Sequence, residues 1–198
     1  MALKLSSRAV AFSQWLSSLV IIERTGNLAA LRRGLMLEEE QIFALYSYIP
    51  PHFLAGLHPW EEKVYLMIAS LFAFHPLSYS DGEASGEPTN FGGSFRLLAL
   101  KKADSKVEQD QQGQQNVELA NTIKRRFEIL ISCRKEELFG HLRQAIRLLK
   151  SEDIPVHWAL LLDDLRYWET EENHVQWRWS RSFYVGDKKT EGEKTNVS

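Results

Sequence analysis

The side chains with chemical reach in this 198-residue sequence are one thiol, six imidazoles, a pair of adjacent carboxylates and a set of arginines. Cys133 is followed by Arg134 and Lys135, cations of the kind that lower a thiol's pKa. It has no clear histidine partner, so a nucleophilic role is not expected. The histidines (His52, His58, His75, His141, His157 and His174) show no HExxH or other ligand spacing and read as surface or helix-end residues. Asp163 and Asp164 would point about 100° apart on a helix, which suits a solvated acidic face better than a paired acid–base or metal site. Phe91-Gly92-Gly93-Ser94 is too short for a phosphate-cradling loop and lacks a following Lys-Ser or Lys-Thr. No enzyme, metal or cofactor is expected from these residues.

The arginines are more informative. Residues 120–150 hold eight bases against three acids, a net of +5, and residues 151–172 hold one base, Arg166, against seven acids, a net of −6. Residues 173–189 return to +3. A chain whose formal net charge is only −2 can therefore carry a basic face and an acidic face. In 135–150 the apolar stripe is Leu138, Leu142, Ile146 and Leu149, while Arg143, Arg147 and Lys150 recur at i, i+4 and i+7 on a second face. Arg178 and Arg181 share a face of the last helix, with Trp177 and Tyr184 nearby. Guanidinium groups beside aromatics suit a groove that tracks a single-stranded nucleic acid backbone. The alternative is an ordinary solvated helix surface, paired with the acids of 151–172. Trp158, Trp168, Trp177, Trp179, Phe183 and Tyr184 read as core before stacking platforms.

These residues need helices to position them, and almost every apolar run has helical spacing. Residues 5–24 form one. Asn27 caps a short second helix ending at Arg32-Arg33, with Gly34 as a left-handed stop. Glu38-Glu39-Glu40 opens a third, stopped by Pro50-Pro51. Residues 60–74 are nearly all apolar and read as the centre of a core. A helix at 91–102 follows, then 116–132, 135–150, 155–169 with Pro155 in its first turn, and 173–185 capped by Asn173. The fold class expected is all-α, about nine helices in two halves. The N-terminal half is 1–78, a linker loop spans 79–90, and the C-terminal half is 91–185 with a mobile loop at 103–115. A disordered tail covers 186–198.

Hydrophobic residues make up 44% and charged residues 25% of the chain, ordinary for a globular protein with a real core. A single cysteine excludes an internal disulfide and suits a reducing cytoplasm. The Leu19–Ile22 run is too short to span a bilayer, so no membrane contact is expected.

The order of motifs is itself specific. Asn27-Leu-Ala-Ala-Leu-Arg32-Arg33-Gly34 comes early, and Leu71-Phe-Ala-Phe-His75-Pro76-Leu77 ends the apolar helix. Phe95-Arg96-Leu97-Leu98 is followed by Lys124-Arg125-Arg126-Phe127-Glu128-Ile129-Leu130 and Arg134-Lys-Glu-Glu-Leu138. Then come His141-Leu-Arg143-Gln-Ala-Ile-Arg147-Leu-Leu149, Ile154-Pro155-Val156-His157-Trp158, Asp164-Leu-Arg-Tyr-Trp168 and Trp179-Ser180-Arg181-Ser182-Phe183-Tyr184. From about residue 10 to residue 185 this resembles the CasB family, the small subunit of the type I-E CRISPR Cascade surveillance complex.

The resemblance implies an all-α, non-catalytic protein of antiviral defence without a cofactor. Its implied partners are the backbone and large subunits of Cascade, a second copy of itself, the crRNA, and target DNA, mainly the displaced non-target strand of the R-loop. By position it carries nucleic-acid contact to Arg33, to Arg125 and Arg126, and to Arg134 and Arg143, with Arg178 and Arg181 in the terminal motif. Arg96, Lys102 and Arg147 complete the candidate set. The sequence departs from the pattern at 103–115, which looks like an insertion, and at His157, where an acid often precedes the tryptophan. A helical adaptor that docks proteins without touching nucleic acid is the second reading.

Overall fold

The computed structural model describes residues 5–22, 25–37, 39–79, 90–104, 112–169 and 173–186. These form nine α-helices: α1 (Ser7–Ile21), α2 (Thr25–Arg33), α3 (Pro51–Leu54), α4 (Pro59–Phe74), α5 (Phe91–Asp104), α6 (Gln112–Ser132), α7 (Lys135–Ser151), α8 (Trp158–Arg166) and α9 (His174–Tyr184). Two 3-10 segments, Gly34–Met36 and Glu39–Tyr48, join α2 to α3. Among the described residues there is no strand, and one isolated bridge pairs Ser78 with Val156. The fold is all-α, as the helical spacing predicts.

Helix α4 is the axis of the N-terminal helices. Every residue from Val64 to Ala73 is buried. Each large apolar side chain so buried contributes about 1.5–3 kcal/mol. The helix opens on a reciprocal cap: Trp60 N–H donates to His58 Nδ1 at 3.3 Å, and His58 N–H donates to Glu61 Oε2 at 3.2 Å. Around it pack α1, α2, α7, α8 and the 3-10 segment Glu39–Tyr48. Helix α5 lies against α6 and α9, and α7 packs on α6, α5 and α4. Helix α8 thus comes from the C-terminal stretch of sequence but seats on α1 and α4. The core stripe Leu138, Leu142, Ile146 and Leu149 is buried, as its spacing predicts.

Four local expectations are corrected. Helix α2 starts at Thr25, so Asn27 lies inside it and is not its cap. Gly34 does not take the left-handed conformation; a Cβ there would come within 2.6 Å of Leu45 Cδ1 and 2.8 Å of Ser70 Oγ. The glycine serves a close approach of chains, not a turn. Pro155 precedes α8 instead of opening it, because Val156 N–H donates to Leu77 O (3.2 Å) and holds this stretch extended. The cap of α8 is His157, whose Nδ1 accepts from Leu160 N–H at 3.2 Å. Asn173 stands at the N-cap of α9 with φ +47°, and its side chain makes no capping bond.

Three further expectations fall wholly or partly outside the described residues. Of the linker expected at 79–90, residues 80–89 lie outside the described residues, and so do 187–198 of the expected tail. The loop expected at 103–115 is helical at both ends, since α5 reaches Asp104 and α6 begins at Gln112, and residues 105–111 lie outside the described residues.

Candidate nucleic-acid interface

The packing of α6 on α7, joined only by Cys133 and Arg134, brings most of the candidate arginines onto one hairpin. Phe127 and Leu130 on α6 and the Leu138–Leu149 stripe on α7 point inward. Arg125, Arg126, Arg134 and Arg147 are therefore left exposed. At about 100° per residue, Arg147 lies about 40° and Lys150 about 20° from Arg143, whereas His141 lies about 160° away. The hairpin's cations consequently occupy two flanks of α7. On one flank Arg126 lines a groove with Ile129, His141, Gln144 and Leu148. On the other, Arg143 donates to Leu37 O at 3.3 Å and stacks on the Phe139 ring at 4.5 Å. Lys150 there donates to Phe74 O at 2.6 Å and covers the Phe74 ring at 3.9 Å. Arg147 stands on the ridge between them.

Asp163 and Asp164 do not form a solvated face. Asp164 is only 3% exposed. Its Oδ2 accepts from Trp179 Nε1–H at 2.6 Å, and its Oδ1 is held by the Arg178 guanidinium. Burial pushes the Asp164 carboxyl up to about 7, against the pull of Arg178 and Trp179. Asp163 accepts from Ser6 N–H at 2.6 Å and from Arg166 Nη1–H at 3.1 Å. Arg166 also donates through Nε to Glu61 Oε1 at 2.7 Å. Glu152 pairs with Lys101 and Lys102, and Glu169 with Lys135. These acids tie elements together and are spent on tertiary contacts.

Three candidate cations are drawn into the same scaffolding. Lys102 is bonded to Glu152 and Arg178 to Asp164. Arg96 donates to Phe183 O at 3.0 Å and Tyr184 O at 3.4 Å, covering the carbonyl end of α9. Among the described residues, Arg33, Arg125, Arg126, Arg134, Arg147 and Arg181 make no ion pair with a carboxylate. Arg33, at the end of α2, stands apart from the hairpin in sequence and in element.

The aromatic residues divide. Trp158, Trp168, Trp179 and Phe183 are core. Trp177 is 74% and Tyr184 48% exposed, and Lys124 sits 5.7 Å over the Tyr184 ring. Sequence periodicity near Lys124 does not reveal that contact, since its partner is on α9. The Glu61–Arg166 link was likewise invisible in the sequence, although Asp163 and Arg166 at i, i+3 are a local signal for the other half of that network.

Two remaining chemical expectations change. Burial pushes the Cys133 thiol up to about 11, helped by Glu137 and Glu169, so Arg134 and Lys135 do not activate it. His75 ends α4 as expected but is buried, its Nε2 bonded to Ile154 O at 2.8 Å, and burial lowers its pKa. Among the described residues, no group of three or more His, Cys, Asp or Glu side chains could hold a metal ion. No described helix is long and apolar enough to cross a membrane.

Comparison with known proteins gives a consistent result. Residues 27–184 match the sequence model of the family described as CRISPR-associated protein Cse2. A protein of that description from Thermus thermophilus is 28% identical over 174 residues, covering 87% of this chain and 87% of its own. The crystal structure of a Cse2 family protein from the same organism superposes with a TM-score of 0.68 at 24% identity, over 89% of this chain and 97% of the other. A chain of a CRISPR RNA-guided surveillance complex superposes with a TM-score of 0.66 at 22% identity, over 90% of this chain and 92% of its own.

Proposed function

Because the chain belongs to the Cse2 family of CRISPR-associated proteins, we propose that it is the non-catalytic small subunit of an RNA-guided surveillance complex of the type I-E Cascade kind. In this reading it sits in the cytoplasm against the complex's backbone and large subunits and a second copy of itself. It touches the crRNA and holds the displaced non-target strand once the target duplex has opened. The observation that carries the reading is the contrast in charge use. Glu152, Asp163, Asp164 and Glu169 are engaged by lysines, arginines, an indole or a backbone amide, while Arg125, Arg126, Arg134 and Arg147 project from one hairpin with no carboxylate partner among the described residues. Exposed guanidinium groups on a two-helix support suit phosphates, and phosphate contacts position a strand without reading its sequence. R-loop formation is a near-balanced exchange, so modest contacts to the displaced strand shift it.

The test is single-strand binding and R-loop lifetime for an Arg125→Ala/Arg126→Ala variant across a salt series. Weaker binding with a shallower salt dependence supports the reading. Wild-type affinity and slope, with wild-type R-loop lifetime, would remove it.

A second reading, a protein-docking adaptor, is favoured by one feature. Val20, Ile21 and Ile22 follow one another at the end of α1 and are 40%, 80% and 60% exposed, and exposed apolar side chains that cluster mark sites of protein contact. The salt series separates the two, since apolar docking does not weaken steeply with salt.

A further inference from the structure

We propose that the outer face of α9 is a base-stacking strip, with Trp177 as the ring on which an unpaired nucleobase lies. The inference rests on the reading that this chain holds a single strand, and adds a contact of a different kind from the phosphate contacts of α6 and α7.

The face is defined by the helix's own burial. Val175, Trp179, Ser182 and Phe183 turn inward, and Trp179 locks that side to Asp164. At about 100° per residue, Trp177, Arg181 and Tyr184 then fall within about 60° of one another on the opposite side. All three are exposed there. An indole is the most costly ring to leave in water, and three other tryptophans of this chain are buried. Trp177 instead stands clear of every ring contact that stitches Trp168, Trp179, Phe91, Phe127 and Phe183 together.

The charge around it selects the occupant. Residues 173–186 contain no Asp or Glu, so α9 offers only cations beside its rings. Arg181 is on the strip, and Lys124 reaches across from α6 to the Tyr184 ring. Among the described residues, the carboxylate that meets the strip is Glu128, which accepts from the Tyr184 hydroxyl at 2.8 Å and lies within 3.9 Å of Lys124. A bare ring flanked by cations fits a ligand with a flat π-face and a backbone of negative charge, which is single-stranded nucleic acid. An apolar protein partner would leave Arg181 desolvated without a counter-charge.

The experiment uses the full chain with an oligothymidylate and an abasic strand of the same length, comparing wild type, Trp177→Ala, Trp177→Phe and Arg147→Ala. Trp177 is exposed, so its loss should leave the thermal midpoint unchanged. The expected result is that Trp177→Ala weakens oligothymidylate binding about tenfold, Trp177→Phe restores most of it, and the abasic strand binds wild type and Trp177→Ala alike. Intrinsic fluorescence of wild type should be quenched by oligothymidylate but not by the abasic strand. Unchanged binding in Trp177→Ala beside weakened binding in Arg147→Ala overturns the strip and leaves the phosphate reading standing. Equal loss on both strands also overturns it, since an indole then acts on the backbone. No binding of either strand by wild type overturns both. If Trp177→Ala binds both strands normally but is lost from its assembled complex, the ring is a protein dock and the proposal fails.

Discussion

The indole of Trp179 donates to Asp164 Oδ2 at 2.6 Å, so a carboxylate from α8 and a ring from α9 are joined inside the core. Arg178 holds the other oxygen of the same carboxyl. Removing an acid so enclosed leaves two donors unmatched. Asp164→Ala should therefore destabilise the fold by about 3 kcal/mol or more, measured by urea unfolding. The pH dependence has a definite sign. The folded carboxyl titrates at about 7 against an ordinary 3.8, so between these values the folded chain keeps a proton that the unfolded chain has released. This group's contribution is full below the lower value and declines as pH rises through the upper one. Asp164→Asn should flatten that decline, and an unaltered slope would show that the carboxyl is ionised throughout.

The passage of α5 past α9 leaves no room for a methyl group at Gly92. A Cβ there would lie 2.0 Å from Trp179 O and 2.6 Å from its carbonyl carbon, and backbone cannot step aside as a side-chain tip can. Gly92→Ala should cost at least about 3 kcal/mol. Gly140, also helical, meets nothing within 4 Å of its Cβ, so Gly140→Ala should stabilise by about 0.5–1 kcal/mol. Thermal midpoints moving in opposite directions for the two variants check the pair.

His75 predicts sensitivity to mild acid. Burial holds its pKa below the usual 6.5, opposed by the bond to Ile154 O and seconded by Lys150. The unfolded chain takes up a proton first as pH falls through 6.5, so stability drops from that point down towards the folded pKa. His75→Gln should weaken the fold at neutral pH yet reduce its loss between pH 7 and pH 5. Chemical unfolding at those two values measures it, and an equal loss in both proteins would place the acid-sensitive group elsewhere.

Arg147 and Arg143 should part company in binding and in stability. Arg147 is on the ridge of α7 with no carboxylate partner among the described residues, whereas Arg143 reaches Leu37 O and the Phe139 ring. Arg147→Ala should reduce single-strand affinity about equally for unrelated sequences and flatten the log–log salt slope by about 0.7, with an unchanged melting point. Arg143→Ala should also lower the melting point, because it detaches α7 from the segment after α2. A strong sequence preference in wild type would contradict the phosphate reading for both.

What was legible in the sequence followed from local periodicity. The apolar run Val64–Ala73 and the stripe Leu138, Leu142, Ile146 and Leu149 need no knowledge of their neighbours to be placed in a core. The arginines of 120–150 were legible as a cluster for the same reason. Where a distant partner decides, the sequence misleads. Asp164 reads as solvated until Trp179 and Arg178 come round to enclose it. Cys133 looks activated by its neighbours in sequence, yet it is packed among apolar groups with Glu137 and Glu169 close by. Gly34 looks like a helix stop, and its real constraint is Ser70, thirty-six positions on. Trp177 and Trp179 look alike in sequence; only the packing of α9 on α5 separates the bare ring from the buried one.

The condition of Cys133 has a practical consequence at the bench. With its thiol titrating at about 11, only about one molecule in ten thousand carries the reactive thiolate at pH 7. A maleimide dye should pass the native protein by. A cysteine introduced at an exposed helical position such as Gln144 or Ser151 would then take up a fluorophore alone. A donor on the protein and an acceptor on a nucleic acid should then report their separation without first altering the chain's interior.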